Sequence, residues 1–112
     1  MSNFRENTSL RILSWEELVI FVDELSLKIK KPKSILPMSQ EAIIPSYLLA
    51  KRLNCPVSFD KDGLTFDLFD TTGTEVCLFY VERQYERPTS QKLTYIDTVF
   101  EDQIVIFPWS RK

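Results

Sequence analysis

The order of apolar patterns predicts an α/β protein built on a mostly parallel sheet with flanking helices. Three observations carry this expectation. The first half of the chain reads helix, strand, helix, strand. Short strands joined through a helix are normally parallel neighbours with a right-handed crossover. The second half is rich in β-forming residues and closes on a strongly apolar strand. The 112 residues fit one domain spanning 1–112, since small domains cluster at about 100–150 residues. Such a chain can bury about 65% of its unfolded surface, enough for one core.

Residues 1–13 read as an irregular or short extended lead-in. Ser14-Trp15-Glu16-Glu17 is a capping box, with Ser14 and Glu17 each able to satisfy the other's backbone amide. Leu18, Val19, Phe21, Val22, Leu25 and Ile29 then recur at helical spacing, which predicts a helix to about Lys30. Lys28, Lys30, Lys31 and Lys33 gather where the helix dipole is negative, and Pro32 stops the helix. Ser34–Met38 reads as a short buried strand. A second helix is expected from about Ile43 to Asn54, with Pro45 in its first turn, where no amide partner is lost. Cys55–Phe59 reads as a second strand.

Asp60-Lys61-Asp62-Gly63 has turn chemistry. It lacks the later ligands of a calcium loop. Leu64–Asp70 and Glu75–Glu82 are β-rich and separated by Thr71-Thr72-Gly73-Thr74. This pattern predicts a β-hairpin over 64–82. Gln84–Gln91 reads as a polar loop, and Leu93–Phe100 has no clear pattern. Ile104–Phe107 is a final strand, closed by Pro108-Trp109.

Composition excludes several chemistries. The chain has no histidine, so a Ser-His-Asp triad or a histidine-ligated zinc site is impossible within it. It has two glycines, where average usage gives roughly eight. A Walker or Rossmann phosphate cradle needs several glycines close together. The net charge of -2 offers no basic field for nucleic acid. No uncharged run approaches the length that crosses a bilayer, and the N-terminus lacks a signal-peptide core. The expectation is a cytoplasmic protein with no nucleic-acid or membrane partner. Cys55 and Cys77 lack CxxC spacing and read as reduced thiols.

Two segments have residues suited to chemistry. In Asp67-Leu68-Phe69-Asp70-Thr71 a strand ends in an aspartate, like the nucleophile strand of haloacid-dehalogenase-type phosphatases. Too little chain follows to supply that family's lysine and paired acids. In Asp70-Thr71-Thr72-Gly73-Thr74, hydroxyls and amides after a strand suit a phosphate if a helix follows. Glu75–Val81 is a strand pattern instead, so a plain turn is favoured.

Taken together, the pieces resemble the phosphoribosyltransferase family, in its compact purine type. The resemblance lies in Ser14–Leu18 with its helix, the strand at 34–38, and Ser39 through Pro56. It extends to Val76–Val81 as a core strand and Ile104–Trp109 as the C-terminal strand. It implies a shortened three-layer α/β core. It also implies ribosyl transfer from phosphoribosyl pyrophosphate to a base, with magnesium. Two phosphate loops would be needed. The pyrophosphate loop falls on Ser39, Gln40, Glu41 and Ala42. There Gln40 stands for a basic residue, and Glu41 and Ala42 stand for glycines. A carboxylate repels pyrophosphate, and side chains replace bare backbone. The second loop falls on Asp67, Asp70, Thr71, Thr72, Gly73 and Thr74, without adjacent acids or a helix.

The resemblance therefore implies a degenerate member without transferase activity and without a cofactor, binding a nucleotide or base or serving as a regulatory partner. Phe107 and Trp109 are the candidates to cover such a base. An active purine phosphoribosyltransferase using magnesium is the alternative. A small homodimeric interaction protein is a further one, because a lost strand–helix unit uncovers sheet.

Overall fold

The computed structural model describes residues 9–83 and 93–110. Six strands and two helices follow in order: β1 Leu10–Ile12, α1 Trp15–Leu27, β2 Ile35–Pro37, α2 Ile43–Leu53, β3 Leu64–Phe69, β4 Val76–Glu82, β5 Asp97–Phe100 and β6 Ile104–Ile106. They form a four-stranded sheet of order β2-β3-β4-β5 and a two-stranded sheet β1-β6. Every pairing is parallel. The expected α/β class with flanking helices is what the chain adopts. The polar loop expected at Gln84–Gln91 lies outside the described residues.

Local chemistry sets the helices as expected, with small shifts at their ends. The Ser14 hydroxyl accepts from the Glu17 amide at 3.1 Å, and the Glu17 carboxylate accepts from the Ser14 amide at 3.0 Å. This completes the capping box of α1. The helix stops at Leu27, with Lys28 as its C-cap, short of the expected Lys30. Leu18, Val22 and Leu25 turn its apolar face to the core, and α1 packs on α2 and β4. Helix α2 ends on Asn54 in the left-handed conformation, φ 56°. There its amide reaches the carbonyls of the last turn, a role asparagine takes at low cost.

The predicted hairpin over 64–82 does not form. β3 and β4 run parallel, with Phe66 opposite Val76 and Phe69 opposite Phe79. The physical reason is burial. Phe66, Asp67 and Leu68 are consecutively buried, and so are Val76 through Phe79. A parallel sheet covered on both faces gives such runs, whereas a half-solvated hairpin alternates. The link is only residues 70–75, against the usual dozen or more. It must travel back about 10 Å along β3, from Phe69 to the level of Phe66, at about 3.3 Å per residue, and also cross to the neighbouring strand. The return is made by a turn, closed by the Thr74 amide on the Thr71 carbonyl, and extended backbone. Thr65 pins its far end, with its hydroxyl donating to the Gly73 carbonyl at 2.9 Å and accepting from the Glu75 amide at 2.8 Å.

Two further expectations are resolved, the second as a correction. Of the two readings of the lead-in, the short extended one holds at residues 10–12, which form a strand because β6 pairs with them from the other end of the chain. Cys55–Phe59 supplies only one bridge, Val57 to Ile35, which is parallel as expected. Pro56 has no amide to extend it.

The core is aromatic at its centre. Phe79 lies 5.7 Å from Phe21, 5.9 Å from Phe69 and 6.3 Å from Phe107, centroid to centroid. The Arg11 guanidinium lies over Phe21 and Phe79 and pairs with Asp97 at 2.9 Å. It thereby ties β1 to β5. Among the described residues, no helix is long and apolar enough to cross a membrane.

Gly63 marks a tight crossing. A methyl group there would meet Ser34 Oγ at 2.9 Å, Leu36 Cβ at 3.0 Å and the Leu36 amide nitrogen at 3.1 Å. Gly63→Ala is expected to destabilise the fold by about 1–3 kcal/mol, and Ser14→Ala by about 1 kcal/mol. Urea unfolding of each variant checks both values; an unchanged midpoint for Gly63→Ala would contradict the close approach.

Candidate functional site

The C-terminal ends of β2 and β3 bring the two sequence-selected segments together. Ser39 follows β2 and caps a 3₁₀ turn, Gln40–Ala42, that runs directly into α2. Its hydroxyl accepts from the Ala42 amide at 3.2 Å and donates to Asp67 Oδ1 at 2.8 Å. Asp67 sits within β3 and is 7% exposed. A carboxylate so buried needs donors. It receives Ser39, the Leu68 amide at 2.8 Å, and the Thr71 hydroxyl on Oδ2 at 2.9 Å. Thr71 and Thr74 hydroxyls lie 2.7 Å apart. Each hydroxyl has one proton, and that of Thr71 goes to Asp67. Thr74 is therefore the donor between the two threonines.

The link itself is a turn, as its residue types suggest. The Thr74 amide donates to the Thr71 carbonyl at 3.1 Å. Gly73 has φ +86°, a conformation that glycine adopts without strain. Thr72 and Gly73 are exposed at its tip. Met38 reaches over this tip, with Cε 3.7 Å from where a Gly73 side chain would start.

Asp70 faces elsewhere. It accepts from the Val81 amide at 3.1 Å and pairs with Arg83 at 3.0 Å. Asp67 and Asp70 thus have separate partners and do not form a joint ligand pair. Among the described residues no cluster of three or more acids, cysteines or histidines is placed to hold a metal.

Gln40 and Glu41 are exposed, and Ala42 is buried. Phe107 is 4% exposed and belongs to the core, in contact with Phe69 and Phe79. Trp109 stacks on it at 5.0 Å and meets Trp15 at 6.1 Å. Ile44 and Tyr47, which helical spacing assigns with Leu48, Leu49 and Leu53 to the apolar face of α2, are exposed beside the first loop, as is Met38, and sequence reasoning did not name these three as site residues. Their signal was present, since Ile44 and Tyr47 stand three apart on α2 and share one face.

Cys77 lies beneath the carboxylates. Burial, then Asp70 and Asp67, push its thiol up to about 12 from an ordinary 9.0. Burial also raises Cys55, while Lys31 opposes the shift.

Asp67→Ala leaves the Ser39 and Thr71 hydroxyls and the Leu68 amide without their acceptor. A loss of about 3 kcal/mol is expected in urea unfolding, and a smaller one for Asp67→Asn. Cys77 should resist a thiol reagent at about pH 8 until the chain unfolds, while Cys55 reacts first. The raised thiol contributes stability that is whole below about pH 9 and is lost as pH rises toward about 12. The gap in stability between wild type and Cys77→Val should therefore shift against wild type on that alkaline limb. An unchanged gap would refute the assignment.

No protein-family model matches the chain, and no curated protein sequence matches it. Among solved structures it is similar to the crystal structure of a purine phosphoribosyltransferase from Pyrococcus horikoshii Ot3, with a TM-score of 0.62. The two are 15% identical, over 93% of this chain and 95% of that one. At this identity the likeness is one of fold, and the chain has a phosphoribosyltransferase-like α/β fold.

Proposed function

We propose that the chain is a non-catalytic binding domain on a phosphoribosyltransferase-like scaffold. Its site would take an uncharged base or nucleoside rather than phosphoribosyl pyrophosphate. The observation that carries this reading is the Asp67 network. The hydroxyls of Ser39 and Thr71, among the groups best suited to receive a phosphate, are directed to a carboxylate of the chain itself, and that of Thr74 is paired with Thr71. A phosphate entering there would have to displace Asp67 and meet its charge. Glu41, exposed beside Ser39, adds a second negative charge. The 3₁₀ turn at Gln40–Ala42 closes the backbone that a pyrophosphate loop would leave open.

The surroundings favour a flat, uncharged ligand. Met38 is 39% exposed, Ile44 42% and Tyr47 57%. Such side chains offer apolar and aromatic contact to a base. The Gln40 amide and Glu41 carboxylate supply donor and acceptor groups for its edge.

Incubation with phosphoribosyl pyrophosphate, magnesium and adenine, guanine, hypoxanthine or xanthine should release no pyrophosphate. Calorimetry should give heat with a base or nucleoside, none with phosphoribosyl pyrophosphate, and weaker binding for Tyr47→Ala. Pyrophosphate release, or tight binding of phosphoribosyl pyrophosphate, would overturn the reading in favour of an active transferase.

A further inference from the structure

We propose that the outer face of the β1-β6 sheet is the contact surface of a two-fold symmetric homodimer. The register pairs Leu10 with Ile104 and Ile12 with Ile106. Side chains alternate along a strand, so these four residues share one face and Arg11 and Val105 share the other. The Arg11 face is the inner one, because its guanidinium lies 5.8 Å from the Phe21 ring centroid and 5.6 Å from that of Phe79. The other face is apolar and open. Leu10 is 57% exposed, Ile12 54% and Ile104 49%. Trp15, 50% exposed, extends the patch where β1 runs into α1.

Parallel strands are normally covered on both faces, and a sheet of two strands is marginal by itself. At these exposures Leu10, Ile12, Ile104 and Trp15 offer on the order of 450 Å² of surface. A standard interface takes about 800 Å² from each partner. About 65% of that is apolar in homodimers, or roughly 520 Å². The patch supplies most of this requirement.

A second copy is the occupant that matches best. None of the face residues is charged, so a charged partner gains nothing there. An all-apolar face is complementary to itself, as an isologous contact requires. Stacking two such faces gives a small two-layer sandwich with side chains interdigitated between them. Ser9 and Gln103, hydrogen-bonded at 3.4 Å, give one end of the face a neutral polar rim. Antiparallel stacking also keeps the acidic Glu101-Asp102 turns of the two copies at opposite ends.

The test is the mass of the full chain in solution, by size exclusion with light scattering over a micromolar dilution series. The expected result is a dimer that dissociates on dilution. Ile12→Lys with Ile104→Lys should weaken it at least about 100-fold and leave the far-ultraviolet circular dichroism unchanged. Ile12→Thr with Ile104→Thr, which keeps β propensity, should weaken it less and in the same direction. Leu27→Lys, outside the face, should leave the dimer intact. A wild-type chain that is monomeric throughout overturns the proposal, whether its own N-terminus or another protein covers the face. So does a dimer that survives both double variants. Neither result bears on the Asp67 site, which calorimetry reads separately.

Discussion

One buried carboxylate holds the working end of this fold together. Asp67 lies inside a sheet, where an ion without donors is costly by several kcal/mol. Its donors come from three places: the turn after β2, the backbone of β3 itself, and the link that leaves β3. Those segments must therefore be where they are if the buried oxygens of Asp67 are to keep their donors. The position of Ser39 fixes the entry of α2, because the same hydroxyl accepts from the Ala42 amide ahead of that helix. The position of Thr71 fixes the start of the return to β4. The turn after β2, the strand β3 and the link toward β4 are thereby joined through this one group.

The same constraint explains the character of the site. Hydroxyls and amides at the carboxyl ends of parallel strands usually face a ligand. Here much of that capacity is spent on holding the chain to itself. What remains for a ligand is apolar and aromatic surface with two exposed polar side chains. Recognition of an uncharged ring follows more readily from that inventory than recognition of a phosphate.

Much of this architecture was legible in the sequence, and the illegible parts share a cause. Ser14 with Glu17, and Pro45 in a first turn, are local signals whose physics is complete within a few residues. They place both helices correctly. The direction of β4 relative to β3 is not local. Apolar periodicity reports which face is buried, and two strands with a short link read as a hairpin whichever way the second one runs. Consecutive burial at Phe66–Leu68 and Val76–Phe79 is the signal that distinguishes them, and it emerges only when the sheet has both faces covered. The partner of β1 was illegible for a similar reason, since it lies 94 positions away. The site residues were named individually from Ser39 to Thr74. Their union through Asp67 was not, because nothing in the spacing says that residues 39 and 67 meet.

The six-residue return between β3 and β4 has a consequence for how the protein folds. Parallel pairing usually waits on a long crossover, and closing long loops makes such sheets slow to form. Chain-closure entropy falls by about 0.6 kcal/mol for each halving of loop length. The β3–β4 pair therefore behaves kinetically like a local element, available before the chain ends have found each other. The β1–β6 pair, at the other extreme of sequence separation, carries the largest closure cost. The four-stranded sheet thus has its shortest connection at its centre, between β3 and β4, and the separate β1-β6 sheet spans the longest separation in sequence.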